Sequence, residues 1–307
     1  MKRVAALDCG TNSIRLLIAE EILGASTFTE ISRKMSIVKL GEGVDKNKAF
    51  LPDAISRTLA ALKIFAADIA EAKVEQVRFC ATSATRDAQN RDEFLIPVAQ
   101  ILGITPEVIS GEEEARLSFK GATQGLDKTS GPFLVVDIGG GSTEFVFGSD
   151  YVDAARSVNI GCVRMSERHF KNDPPTQSEI EGARIDIRNA IALAGEVVPI
   201  KNAKTLVAVA GTATTVAAAA LNLAEYDSEL IHLAKISAVD TRRVSDWLLT
   251  LTRQERAVLG YMHPGRVDVI AAGSLVLAEI MEATGLTSFV ASENDILDGM
   301  VWSMLNA

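Results

Sequence analysis

Apolar positions along this chain fall into short runs of strand length separated by stretches with helical spacing, which predicts mixed α/β layers. One apolar run, 4–7, ends on Asp8 and is followed by another at 14–18; the runs 133–136 and 144–147 repeat the arrangement. Each pair encloses a small polar turn. The first is Asp8-Cys9-Gly10-Thr11-Asn12-Ser13 and the second Asp137-Ile138-Gly139-Gly140-Gly141-Ser142, with the shared pattern D-x-G-x-x-S. Both read as strand, turn, strand, and two copies in two halves predict two similarly built domains facing each other across a cleft.

Between and beyond the copies the pattern continues. Pro52 opens a helix to residue 72, with Ile55, Leu59, Leu62, Ile64, Phe65 and Ile69 as its apolar positions. A strand at 77–82 leads into a polar loop at 83–90, where Asn90 and Glu93 resemble a capping pair for a helix over 94–102. A strand at 105–110 is turned by Gly111 into a helix beginning Glu112-Glu113-Glu114, and 121–131 reads as an interdomain connection. After the second motif come a loop at 171–176 containing Pro174-Pro175, a helix over 178–198, and a strand at 206–209 entering a turn at 211–215. The remainder is mainly helical.

Composition narrows this picture. The 307 residues suffice for two domains, and 48% hydrophobic against 23% charged is a globular balance. A net charge of −9 without a compensating basic stretch argues against a nucleic-acid partner, though not against a small polyanion in a locally positive cleft. Cys9, Cys80 and Cys162, like His169, His232 and His263, lack metal-ligand or disulfide-framework spacing. No secretory signal opens the chain. The uncharged stretch 205–224 is long enough to span a bilayer, but Ala, Thr and Gly dominate it and Gly211 interrupts it; strand, tight turn and buried helix fit better. The expectation is a soluble cytoplasmic protein with no membrane partner.

The two turns carry the candidate chemistry. Gly-rich turns offer backbone N–H groups, and Gly139, Gly140 and Gly141 allow an anion close to the main chain. Tight turns chosen for geometry alone are the plainer reading; the polar clustering favours phosphate. Asp8 and Asp137 would repel phosphate, and make sense as direct or water-mediated ligands of an accompanying Mg²⁺. Arg86, just after a strand, reads equally as a phosphate fork or as a solvated neighbour of Asp87. Glu112, Glu113 and Glu114 read first as acidic residues complementing a helix dipole.

Six blocks then occur in a specific order: DCGTNSIRLLI from Asp8, SATRDAQN from Ser83, GEEEARL from Gly111, VVDIGGGSTEF from Val135, GCVRMSER from Gly161 and AGTATT from Ala210, followed by PGRVDVI from Pro264. The chain thereby resembles the exopolyphosphatase / guanosine pentaphosphate phosphatase (Ppx/GppA) family in its short two-domain form. The resemblance implies two ribonuclease-H-like α/β domains of the actin-like ATPase (sugar kinase/heat-shock/actin) superfamily, divided as 1–122 plus about 290–307 and 123–289. It implies hydrolysis of a terminal phosphoanhydride, with Glu114 at an exposed helix start as general base and Arg86 binding phosphate. Asn12, Ser13, Gly139, Gly140, Gly141 and Ser142 would hold phosphates, and Asp8, Asp137 and Glu144 a Mg²⁺ or another divalent cation. Polyphosphate and guanosine pentaphosphate both remain open as substrates, as does a homodimer. A kinase of the same fold and a non-catalytic alarmone sensor are the rival readings.

Overall fold

The computed structural model describes residues 1–22, 24 and 27–306. Strand β1 (Arg3–Cys9) alternates its apolar side chains between two covered faces, which is why it reads as a continuous run and takes the centre of a sheet. Its neighbours are β2 (Ser13–Glu21), antiparallel to it, and β4 (Gln76–Ala81), parallel to it; β3 (Phe28–Ile37) and β5 (Glu107–Val108) complete the order β3-β2-β1-β4-β5. Ala5, Leu7 and Cys9 pack with Phe65, Phe79 and Phe94 on one face. The helices of this unit are α1 (Val44–Asn47), α2 (Pro52–Glu71), α3 (Ser83–Asp87), α4 (Asp92–Leu102) and α5 (Gly111–Thr123).

The second unit begins with β6 (Phe133–Ile138), β7 (Thr143–Gly148) and β8 (Val152–Val158), followed by α6 (Cys162–His169) and α7 (Gln177–Gly195). Strand β9 (Thr205–Val209) and α8 (Ala210–Ala220) come next, then α9 (Ser228–Ile231), β10 (Lys235–Ser237), α10 (Ala238–Thr250), α11 (Arg253–Ala257), α12 (Ile270–Thr284) and β11 (Ser288–Ala291). Its sheet runs β10-β11-β9-β6-β7-β8. The positions of β8, β7, β6, β9 and β11 repeat those of β3, β2, β1, β4 and β5, with the same mixture of antiparallel and parallel pairs. That repeated order is the one expected of ribonuclease-H-like domains.

The chain returns to the first unit with α13 (Ile296–Leu305), so that unit comprises Met1–Gly121 and Ile296–Ala307, and the second Ala122–Asp295. Helix α13 covers the other face of the first sheet: Ile296, Leu297, Met300, Val301 and Met304 pack with Val4, Ala6, Leu17 and Leu117. In the second unit the buried Glu279 of α12 accepts hydrogen bonds from Arg184 and Arg188 of α7 and Arg242 of α10, tying three helices to one carboxylate.

Several local expectations change. The segment 83–90 is not all loop: α3 forms because Thr85 and Arg86 donate backbone hydrogen bonds to Thr82 (3.0 Å each). Asn90 is not the cap of α4; that position is Arg91, without a side-chain cap bond. Its amide instead pins Phe50, accepting from its N–H (2.8 Å) and donating to its carbonyl (3.2 Å), although it also reaches Glu93. The strand foreseen at 105–110 shrinks to two residues, and α5 continues to Thr123, into the segment read as a connection. Helix α7 ends at Gly195 and starts on a capping box between Thr176 and Glu179. The stretch 205–224 is β9 joined to α8 with no intervening turn, Ala210 taking φ 65°. Among the described residues no helix is long and apolar enough to cross a membrane.

Gly299 permits the close approach of α13 to α5: an added Cβ would lie 2.0 Å from the Leu117 carbonyl oxygen. Helix propensity alone would favour alanine by about 1 kcal/mol. Overpacking against backbone should reverse that sign, so Gly299→Ala is expected to destabilise the protein by about 1–3 kcal/mol in urea denaturation. A midpoint at or above wild type would show that α13 can withdraw without cost.

Candidate active site

In the first unit the D-x-G-x-x-S turn joins β1 to β2 and is closed by the Gly10 N–H donating to Ser13 O (2.9 Å). Its carbonyls are taken up by the segment after β3. Val38 and Lys39 both donate to Asn12 O (3.0 and 2.9 Å), and Gly41 donates to Thr11 O (2.8 Å). Gly41 is required by that contact, since a Cβ there would sit 2.3 Å from Thr11 Cγ2. Asp8 lies opposite Arg15 in the β1–β2 register and accepts from its guanidinium at 2.7 and 3.0 Å. The carboxylate proposed as a metal ligand is therefore already neutralised by a cation of its own hairpin.

The end of β4 lies beside this turn, with Thr82 N–H donating to Cys9 O (3.1 Å). Helix α3 then delivers Arg86, whose Nη1 donates to Glu114 Oε2 (2.7 Å) and Ile109 O (3.0 Å). Glu114 is not on an exposed helix start; its side chain is 11% exposed and Arg86's 24%. The first turn of α5 rolls its third glutamate inward, whereas Glu112 and Glu113 remain toward solvent. Two buried hydroxyls in this unit, Thr11 Oγ1 and Thr85 Oγ1, lack a hydrogen-bond partner. Such groups are rare in native interiors and are available to a bound polar ligand.

In the second unit the equivalent turn joins β6 to β7 and closes through Gly139 N–H to Ser142 O (3.0 Å). Its carbonyls face the start of α6. Cys162 donates to Gly139 O (3.0 Å), Val163 and Arg164 donate to Gly140 O (2.9 and 3.1 Å), and Arg164 Nε donates to Gly141 O (2.6 Å). Ser142 and Thr143 are buried, and the Thr143 hydroxyl donates to Ile160 O. Asp137 and Glu144 are direct cross-strand partners, both nearly buried, and Ser157 Oγ donates to Glu144 Oε1 (2.7 Å).

Two carboxylates in facing positions repel each other unless a cation or a proton lies between them. Their oxygens are also the donors that a hard divalent ion takes. Among the described residues no group of three or more His, Cys, Asp or Glu is arranged to hold a metal. Asp137 and Glu144 nonetheless fit Mg²⁺, which is commonly held by one or two carboxylates with substrate phosphates and water completing its shell. The thiols contribute no nucleophile. Burial pushes Cys80 up to about 12 and Cys162 up to about 11, and raises Cys9 with help from Asp8.

Sequence reasoning missed Arg15, Arg164 and Arg266. The last lies flat on the start of α8: a Cβ on Gly211 would be 2.2 Å from its Cζ, and its Nη1 donates to Thr215 Oγ1 (3.2 Å). All three stand inside the blocks that carry the family resemblance, which was the available signal; their partners lie elsewhere in the chain or across a strand pair.

The comparisons with known proteins agree on one group. Over 315 aligned residues the chain is 45% identical to Exopolyphosphatase 2 of Mycobacterium tuberculosis, covering 99% of both. It is 32% identical to a guanosine-5′-triphosphate,3′-diphosphate pyrophosphatase of Photobacterium profundum, spanning 98% of this chain and 59% of that protein. The crystal structure of an exopolyphosphatase-like protein superposes with a TM-score of 0.94 at 43% identity, over 98% of each chain. With the sequence profile of that family matching residues 17–307, the chain belongs to the Ppx/GppA phosphatase family.

Proposed function

We propose that this protein is an exopolyphosphatase that hydrolyses terminal phosphoanhydride bonds of polyphosphate and releases orthophosphate. The observation that carries the reading is the pair of buried Glu114 and half-buried Arg86, 2.7 Å apart, in a member of a phosphatase family. A carboxylate beside a guanidinium is held in its ionised, proton-accepting form. Phosphate oxygens compete for the same guanidinium through two-pronged hydrogen bonds. As a terminal phosphate engages Arg86, Glu114 gives up a charge-neutralising contact and becomes the better base. It then orients a water and accepts its proton.

Phosphoryl transfer needs alignment and charge neutralisation more than covalent assistance. The amides of Gly140, Gly141 and Ser142, and in the first unit those of the turn at Asn12–Ser13, would supply preorganised donors for phosphoryl oxygens. Asp137 and Glu144 would hold a Mg²⁺, which when bound supplies neutralisation of phosphate charge. Asp8 is assigned a lesser part in that site, since Arg15 already compensates it.

Guanosine pentaphosphate is the second substrate reading, favoured by the 32% identity to the Photobacterium pyrophosphatase. The loops grip phosphate and not a base, so both substrates end in the bond that this geometry addresses. Phosphate release from the purified protein on short polyphosphate, long polyphosphate and guanosine pentaphosphate, assayed side by side, separates the two. Absence of release from all three, with ADP formed only when an acceptor is added, would convert the assignment to a kinase.

Replacement of Glu114 by Gln should lower turnover by roughly 10²–10⁴ while substrate still binds. A variant retaining more than half of wild-type rate would move the base elsewhere. Arg86→Ala should weaken substrate affinity and flatten its salt dependence. Arg86→Lys should restore only part of the affinity, because a point charge replaces the attraction but not the two-pronged geometry, and Michaelis constants unchanged across salt concentrations in both variants would deny Arg86 a role in phosphate binding. Chelation should abolish activity, and Glu144→Gln should raise the Mg²⁺ concentration for half-maximal rate about tenfold or more. Full activity in excess chelator would contradict the metal assignment.

A further inference from the structure

We propose that the amino-terminal turn of α6, with Arg164 as its key side chain, is the template that aims the second loop's amides at the bound anion. The inference deepens the phosphoanhydride reading: it rests on that reading for the identity of the anion and on main-chain geometry for everything else.

In a planar trans peptide the carbonyl and the following N–H point in opposite directions. The loop peptides 139–142 are trans. All three carbonyls between Gly139 and Ser142 are engaged by α6: Gly139 O by Cys162 N, Gly140 O by Val163 N and Arg164 N, Gly141 O by Arg164 Nε. The N–H groups of Gly140, Gly141 and Ser142 therefore face away from α6 as a set. Three successive amides turned to one side form an anion nest. A carbonyl that accepts a charge-assisted bond also polarises its own peptide, which strengthens the donor on the far side.

Two further observations point to a positioning device. Arg164 is 6% exposed, and a guanidinium so buried must be held by its partners, among them Gly141 O at 2.6 Å, which fixes where it sits. In the first loop the matching carbonyls of Thr11 and Asn12 accept from the main-chain amides of Gly41, Val38 and Lys39. In the second loop the last of the three carbonyls accepts from a side chain, Arg164 Nε. Gly161 adds the steric half of the template. Its φ of −133° suits any residue, yet a Cβ there would lie 2.3 Å from Gly140 O and 2.6 Å from Gly141 N. Only contact with the loop explains the glycine.

The role assigned to Arg164 is exerted through the loop, so the test must read the loop itself. Wild type, Arg164→Lys, Arg164→Gln and Gly161→Ala are titrated with tripolyphosphate, following the ¹H–¹⁵N resonances of Gly140, Gly141 and Ser142 and the calorimetric Kd. Turnover and thermal melting are measured alongside. In wild type the three amides should shift together on saturation. In Arg164→Gln that response should shrink, with affinity down about tenfold and kcat down about 10²-fold, a loss typical of disturbing one preorganised donor set. Arg164→Lys should recover part of both. Gly161→Ala keeps every charge and should lose affinity and kcat in the same sense, and it decides the matter if Arg164→Gln does not fold. Silent amides in wild type would overturn the proposal. So would folded Arg164→Gln and Gly161→Ala proteins within twofold of wild type in Kd and kcat. Wild type that binds tripolyphosphate through these amides yet releases no phosphate would remove the hydrolase reading and sustain the template. Hydrolysis with unresponsive amides would do the reverse.

Discussion

A loop that presents amides to an anion must satisfy its carbonyls on the opposite side, because one peptide plane carries both and points them apart. Much of the local architecture around the two D-x-G-x-x-S turns follows from that constraint. Each turn closes with the same main-chain bond, Gly10 to Ser13 and Gly139 to Ser142. Each then needs a carbonyl-facing scaffold that no hairpin can supply from its own two strands. The first unit supplies the Val38–Gly41 segment after β3; the second supplies the start of α6. The demand is the same and the solutions differ, which accounts for units that share a strand order but not their loops.

The duplicated register also shows where charge was changed and geometry kept. Seven residues after the leading aspartate, directly across the hairpin, stands Arg15 in one unit and Glu144 in the other. Asp8 is thereby locked into an ion pair at 2.7 Å, while Asp137 faces a second carboxylate. One hairpin pairs its aspartate with a cation; the other sets two carboxylates in facing positions. The second is therefore the arrangement to which the proposed Mg²⁺ is assigned, since paired carboxylate oxygens are donors that a hard cation takes. The symmetry of the motif therefore does not extend to its electrostatics.

The strands were legible because burial on two faces leaves an unbroken apolar run, as in β1 and β6, and the paired motifs were legible because both flanks repeat. Segments governed by a distant partner were not. Polar composition made 83–90 read as loop, although Thr82 nucleates α3 locally. Asn90 had a sequence-local role available in Glu93, but Phe50, 40 residues away, takes its amide. Glu114 looked like one of three equivalent dipole-complementing glutamates; its distinction comes from Arg86, 28 residues earlier. Arg164 carries no local signal either, since its partner is a carbonyl 23 residues back. Resemblance implied a role for Glu114 without its burial, and implied none for Arg164.

The pairing of Arg86 with Glu114 bears on how the base proposed for this protein would be kept ready. A carboxylate with little solvent contact would ordinarily drift toward its neutral form, and a lone guanidinium beside it would ordinarily be too costly to bury. In this protein the two groups are brought to 2.7 Å, so each is the other's hydrogen-bonded counter-ion. The same contact also restrains the base, because a carboxylate bonded to a guanidinium is a weaker proton acceptor than one released from it. On the proposed function, a phosphate that draws Arg86 toward itself would release that restraint only when a phosphoryl group is in place. The proposed base would then be restrained in the empty site and freed by the substrate's own phosphate.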